Sequence, residues 1–390
     1  MPANKRLSYW PHVMIRKTYK YRLYPTRAQV DLLTAQLSEA CRLYNAALQE
    51  RRDAWRINRK SISLYDQTYQ LKEIFADGDC DIKGFSAAWY VLDRVNKSFA
   101  AFFRRVKAGQ KAGFPRFKSF RRFDSFTWQI QANDKPIKDG KLRIPKMGTF
   151  RLKLHRAIEG KIKTCTVKRE AGRWYVCFSV ECEAKPLPPC SEAVGIDVGL
   201  TTFATLSDGA GFTNPRWYKE AQAKLRLAQR RVARRKKGGS GRRKAVQLLQ
   251  RAHAHIRQQR ADFHHKVSRQ LVNTHGLIAV EDLSIKGLVS GMLAKSVQDA
   301  GWDMFLEKIA YKAEDAGRQF FRVNPSGTTQ NCSGCGHKQV KSLAERTHVC
   351  DICGLVLNRD HNAAINILRA GIVLAGLTWP NAASVPAESP

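Results

Sequence analysis

A multidomain α+β architecture is what this sequence predicts, and three observations predict it. The apolar pattern changes from helical to strictly alternating near residue 109, then to alternating strands and helices after Ala193. Two Cys-x-x-Cys pairs, Cys332/Cys335 and Cys350/Cys353, interrupt the last strand–helix step. A length of 390 residues allows two or three domains with at least one sizeable core.

Residues 1–13 read as an N-terminal extension, because patterned sequence begins at Met14. Residues 14–25 then alternate, which suits a strand with Tyr19, Tyr21 and Leu23 on one face. Thr26-Arg-Ala-Gln29 has the form of a capping box. It opens a helix with Leu33, Leu37, Cys41, Tyr44 and Leu48 on its buried stripe. A second helix over Ser86–Val106 carries Leu92, Val95, Phe99 and Phe102, and Ala76–Asp81 reads as a loop. Residues 26–108 therefore form a helical module. Residues 109–190 hold short alternating runs punctuated by Gly and Pro, including Phe150/Leu152/Leu154 and Trp174/Val176/Phe178/Val180. They predict a β-barrel-like domain that the N-terminal strand completes, with the helical module inserted. Pro186–Cys190 reads as a linker.

In residues 191–324, Val194–Gly199, Phe203–Leu206, Leu277–Val280 and Phe320–Val323 read as strands of a mixed sheet. Trp217–Arg235, Lys244–Thr274 and Trp302–Ala316 are the helices between them. Residues 325–357 hold the paired cysteines, residues 358–370 open a last helix, and residues 371–390 read as a loosely ordered tail.

The net charge of +35 is spread along the chain, and a folded protein tolerates that self-repulsion most easily beside a polyanion. Nucleic acid is the first candidate, bound in a salt-sensitive manner. No apolar run approaches the ~20 residues of a spanning helix, and no segment reads as a signal peptide, so no membrane partner is expected. Six scattered cysteines without paired spacing point to a reducing cytoplasm.

The last four cysteines have the spacing of a four-thiolate structural zinc ribbon. Three acids carry the candidate chemistry. Asp197 lies inside an apolar strand, Glu281 ends another, and Asp360 opens the last helix. Singly they read equally as a residue satisfying nearby amides, a strand-end charge and a helix cap. Gathered together they would repel one another and hold a divalent cation, with Mg2+ favouring oxygen ligands and Mn2+ able to substitute. Two such ions would suit cleavage of a phosphodiester.

Basic residues fall in two clusters. Arg104, Arg105, Lys107, Lys111, Arg116, Lys118, Arg121 and Arg122 interleave with Phe114, Phe117, Phe120 and Phe123, a pattern that allows bases to stack on the rings. Between Arg216 and Arg269 only Glu220 and Asp262 oppose a run that includes Arg234, Arg235, Lys236, Lys237, Arg242 and Arg243. That stretch reads as a helical hairpin lying along a phosphate backbone.

Val194-Gly-Ile-Asp-Val-Gly-Leu-Thr-Thr-Phe-Ala, Ala279-Val-Glu-Asp-Leu and Asn358-Arg-Asp-His-Asn-Ala-Ala-Ile-Asn-Ile resemble the three segments of a RuvC-like nuclease of the RNase H fold. With Val323-Asn-Pro-Ser-Gly-Thr-Thr-Gln-Asn-Cys-Ser-Gly-Cys-Gly, Tyr21-Arg-Leu-Tyr-Pro and Ala112-Gly-Phe-Pro-Arg-Phe-Lys, they resemble the transposon-encoded TnpB family from about Met14 to Leu368. The resemblance implies an RNA-guided DNA endonuclease related to the ancestors of type V CRISPR effectors. Its partners would be a transposon-derived guide RNA and a double-stranded DNA target beside a short adjacent motif, with one protein chain per RNA. By the same resemblance Asp197, Glu281 and Asp360 are its metal-binding catalytic acids. The 109–190 domain is its wedge, and the 26–108 module, Tyr65 included, reads the adjacent motif. Prokaryotic cytoplasm and nucleoid would be its place. A strand-transferring transposase, a binding-only repressor and a compact type V effector are the alternatives.

Overall fold

The structure, a computed structural model, describes residues 13–131, 134–288, 291, 293–342 and 345–378. Most of the expected N-terminal extension, residues 1–12, lies outside the described residues. Two compact units divide between Glu183 and Ala184.

The first unit opens with strand β1 (Met14–Tyr24), followed by helices α1 (Arg27–Asn58), α2 (Leu64–Ala76) and α3 (Phe85–Lys107). Six strands complete it: β2 (Ser125–Gln129), β3 (Ile137–Lys138), β4 (Lys141–Ile144), β5 (Gly148–Lys153), β6 (Lys161–Glu170) and β7 (Arg173–Glu183). They form one antiparallel sheet in the order β2-β6-β7-β1-β5-β4-β3. β1 is therefore an interior strand, and the three helices are inserted between it and β2. Its buried face, Tyr19, Tyr21 and Leu23, lies opposite Phe178, Val176 and Trp174 of β7. Each such side chain contributes roughly 1.5–3 kcal/mol on burial. The expected barrel is not closed by pairing, because β2 and β3 are the two edges of the sheet.

The capping box at Thr26 is formed in both directions, and the predicted α1 stripe is buried. Helix α2 was not anticipated. Its signal was a second capping box, in which Ser63 and Asp66 bond each other's amides.

The second unit contains strands β8 (Ala193–Val198), β9 (Thr202–Leu206) and β10 (Gly211–Thr213), then long helices α4 (Trp217–Ala233) and α5 (Ser240–Thr274). Strand β11 (Leu277–Glu281), helices α6 (Ile285–Leu288), α7 (Ala294–Ala300) and α8 (Trp302–Ala316), and strand β12 (Gln319–Val323) follow. Strands β13 (Thr347–Val349) and β14 (Val356–Asn358) make a small hairpin before helix α9 (Arg359–Leu374). The main sheet runs β10-β9-β8-β11-β12, antiparallel at the first two joints and parallel at the last two.

β11 is buried along its whole length, and its alternating side chains serve both faces. Ile278 and Val280 pack with Val267 and Leu271 of α5 and Phe305 and Ile309 of α8. Leu277 and Ala279 pack with Ile367, Leu368 and Ile372 of α9. Two glycines let α9 lie flush on the sheet. A methyl on Gly195 would overlap the Ala364 carbonyl and the Leu368 amide, and one on Gly371 would overlap Ala279. The expected 186–190 linker belongs to this unit. Leu187 N–H donates to the Ala316 carbonyl at 3.0 Å, and the Arg318 guanidinium donates to that of Pro188 at 2.8 Å. Residues 371–374 extend α9, so they are helix where a loose tail was expected.

Candidate active site and metal centres

The sheet register sets two of the three acids side by side. Ile196 of β8 pairs with Val280 of the parallel strand β11. One residue further along, Asp197 and Glu281 come level on neighbouring strands. They share the face on which Gly195 and Ala279 meet α9. Helix α9 delivers the third acid. Its first turn lies beside the end of β8, where a methyl on Gly199 would sit 3.8 Å from Asp360 Oδ2. Asn358 caps this helix, its Oδ1 accepting from the Asp360 amide at 2.9 Å and the His361 amide at 3.4 Å. The Asp360 carboxylate is therefore spared capping duty, and its nearest cation is Arg359 Nε at 3.5 Å.

Electrostatics registers the convergence. Burial is the main cause holding the Asp197 carboxyl well above its usual range, and the negative charges of Glu281 and Asp360 push the same way. Arg359 and the Val198 amide oppose them only partly. The Glu281 carboxyl is also raised by burial, against a hydrogen bond from Thr328 that favours its charged form. Crowded carboxylates of this kind are relieved by a cation with oxygen-ligand preference.

The three are not drawn as tight as a closed ligand shell. Among the described residues, the four cysteines are the one group of three or more His, Cys, Asp or Glu whose ligand atoms all lie within 4.8 Å of each other.

The cysteine cluster fits zinc. Cys332 and Cys353 sulfurs are 3.5 Å apart and those of Cys335 and Cys350 are 3.6 Å apart, near the ~3.8 Å edge of a tetrahedron with ~2.3 Å Zn–S bonds. Each pair forms the same knuckle. The Gly336 and Gly354 amides donate to the carbonyls of Cys332 and Cys350, and both glycines adopt positive φ (81° and 71°). The Cys350 thiol is pulled down to about 6, chiefly by the Cys353 amide. The Cys332 and Cys353 thiols of the same cluster are instead raised, Cys332 chiefly by burial.

The basic candidates divide. Arg104 and Arg105 in the last turn of α3, and Lys111, Arg116, Arg121 and Arg122 after it, are exposed. So are Arg234, Arg235, Lys236, Lys237 and Arg243 around the α4–α5 turn. Tyr65 projects from α2 with 79% of its surface exposed. Two of the candidates are engaged within the protein. Arg242 donates to the carbonyls of Val232 (2.6 Å) and Arg235 (3.3 Å), closing the C-terminal end of α4. Lys118 is part-buried with its Nζ 4.5 Å from the Tyr44 ring centre, and burial lowers its pKa. The aromatics divide too: Phe123 is core, whereas Phe114 packs edge-on against Phe99 and Phe102 while staying half exposed.

Sequence reasoning missed the side chains that hold the acids in place. Thr328 donates from Oγ1 to Glu281 Oε1, and Asn362 and Asn366 of α9 grip the loop before the first knuckle. The repeated Asn at i and i+4 in Asn362-Ala-Ala-Ile-Asn366 was the available signal.

The second unit thus combines a mixed α/β sheet, a four-cysteine cluster compatible with a zinc ribbon and three acids gathered at one sheet face. A cryo-EM structure of a Cas12f1–sgRNA–target DNA complex has the same fold, with a TM-score of 0.59 at 15% identity over 91% of this chain and 98% of that one. A family model described as "Probable transposase" matches residues 166–291, and one described as "Cas12f1-like, TNB domain" matches residues 302–367. A third, described as "Helix-turn-helix domain", matches residues 14–60, which here are a strand and one continuous helix. A Streptomyces pristinaespiralis protein named "Putative RNA-guided DNA endonuclease" is 32% identical over 92% of this chain and 90% of its own length. An Escherichia coli K12 protein named "Putative RNA-guided DNA endonuclease InsQ" is 31% identical over 72% and 73%. The chain belongs to the TnpB family.

Proposed function

We propose that this protein is an RNA-guided DNA endonuclease with a RuvC-like active site built from Asp197, Glu281 and Asp360. The observation that carries the reading is the convergence of these acids from β8, β11 and α9, with the raised Asp197 carboxyl as its electrostatic mark. The names of relatives covering most of the chain support the guided cleavage of DNA.

Asp197, Glu281 and Asp360 would hold two Mg2+ ions, with Mn2+ as a substitute. Ions bound there supply activation of the attacking water and stabilisation of the leaving oxygen of a phosphodiester. The carboxylates would hold such ions from strand and helix positions on one sheet face, which would leave little of the protein to reorganise. Burial of Glu281 and part-burial of Asp197 limit competing water. Cys332, Cys335, Cys350 and Cys353 would hold a structural Zn2+. The exposed cations around the α4–α5 turn and after α3 would follow the phosphates of a transposon-derived guide RNA and of the target, pairing supplying the sequence specificity. Tyr65 and the rest of the helical module would read a short motif beside the target. One chain would act with one RNA in a reducing, DNA-containing compartment. Among the described residues no helix is long and apolar enough to cross a membrane.

The test is cleavage by the purified protein–RNA complex on DNA matched to its guide. Asp197→Ala should lower cleavage on the order of 10³-fold while RNA and target binding persist. Undiminished cutting by that variant would refute the assignment. End-joined products formed without guide RNA would favour a strand-transferring transposase.

A further inference from the structure

Glu281 is buried at the end of β11, and one of its carboxylate oxygens is engaged. Thr328 Oγ1 donates to Glu281 Oε1 and lies 3.0 Å from the Pro325 carbonyl. A hydroxyl has a single proton, so the carboxylate takes it and the second contact is not an equal donor bond. Thr328 belongs to the loop between β12 and the first zinc knuckle, and only 7% of its surface is exposed. That loop turns at Gly327, whose φ is 81°, with the Gln330 and Asn331 amides donating back to the Gly327 carbonyl.

Helix α9 clamps the same loop. Asn366 Nδ2 donates to the Thr328 carbonyl at 2.9 Å and to that of Asn331 at 2.7 Å. Asn362, fully buried, donates to the Asn331 carbonyl at 2.8 Å and accepts from the Ser333 amide at 2.8 Å. Cys332 sits between those last two residues. A series of buried and part-buried hydrogen bonds therefore runs from Ser333, next to Cys332, through two asparagines of the helix bearing Asp360, to the Thr328 that holds Glu281.

We propose that Thr328 is a positioning residue for Glu281, fixing one carboxylate oxygen so that the other is presented to a divalent cation. The inference rests on the reading of Glu281 as a metal ligand. Partners that hydrogen-bond a ligating carboxylate typically change metal affinity 10–100-fold when removed.

The experiment is Mn2+ titration of the full-length protein by calorimetry, alongside zinc content and thermal unfolding. Thr328→Val should weaken Mn2+ binding roughly 10–100-fold with zinc retained. Thr328→Ser, which keeps the hydroxyl, should restore it. In cleavage, Thr328→Val should raise the Mg2+ concentration needed for half-maximal rate more than it lowers the rate at saturating Mg2+. Thr328→Ala is measured in parallel, in case the valine variant fails to fold. Wild-type Mn2+ affinity in either folded, zinc-bound variant would overturn the proposal. Glu281→Gln separates the two levels. If it weakens Mn2+ binding and the Thr328 variants do not, only the positioning role fails; if it also binds normally, the metal assignment itself is wrong.

Discussion

The two candidate metal-binding clusters in the second unit are built on opposite plans. The four thiols come from two knuckles close in sequence and gather with all ligand atoms within 4.8 Å. The three acids come from residues 197, 281 and 360, and are brought together by a strand pair and the helix packed on it. Local turns made by Gly336 and Gly354 shape the first cluster, whereas sheet register and the close approach of α9 at Gly195 shape the second. A closed shell of thiolates is a structural site; an open set of oxygens on a rigid frame leaves room for substrate. The difference teaches where free energy resides. Ligand binding at the knuckles stabilises the fold, whereas the fold bears the repulsion among the acids.

That contrast breaks if removing a ligand from each cluster has the same effect on stability. The larger effect is expected at the ribbon. Cys350→Ser should release the zinc and unfold the knuckles, since binding free energies on the order of 10 kcal/mol sustain small zinc modules. Elemental analysis should show the loss, and limited proteolysis should cut between the last strand of the main sheet and α9. A variant that keeps both its zinc and its protease resistance would show that the thiols are not the site.

At the acids the sign is reversed and the effect smaller. The folded Asp197 carboxyl titrates above its unfolded value of ~3.9, so over that interval the folded state holds a proton the unfolded state releases. Stability of the metal-free protein should therefore fall as pH rises through that interval. Asp197→Asn should remove the cost and raise the melting temperature at neutral pH, by about 2–4 °C for each 1 kcal/mol relieved. The gap between variant and wild type should close as pH falls toward 4, and bound Mg2+ should narrow it at pH 7. Melting curves across pH, with and without Mg2+, check this. A variant less stable than wild type at pH 7 without metal would contradict the repulsion.

Much of the fold was legible because burial imposes period. The buried faces of β1, α1 and β11 follow directly from alternate or three-to-four spacing of apolar residues. The acids stood out because a carboxylate within or ending an apolar strand is costly without a partner. What stayed hidden depends on contacts between distant segments. Nothing in its neighbourhood marks Thr328 as the partner of Glu281, 47 residues away. Charge runs also hide local differences: Arg242 looks like its neighbours, but the helical turn aims it at the carbonyls ending α4. Phe123 shares its pattern with Phe114, Phe117 and Phe120 yet is the one that enters the core. Helix α2 was overlooked because its apolar stripe is short, with Leu71 its only fully buried apolar residue, although its capping box was readable.

Anomalous X-ray scattering from crystals of the protein–RNA complex soaked in Mn2+ would locate any ions the three acids hold. Two peaks about 3.5–4 Å apart, each within bonding distance of a carboxylate oxygen from Asp197, Glu281 or Asp360, are expected. Saturating Mn2+ that leaves those three side chains without a peak would contradict it.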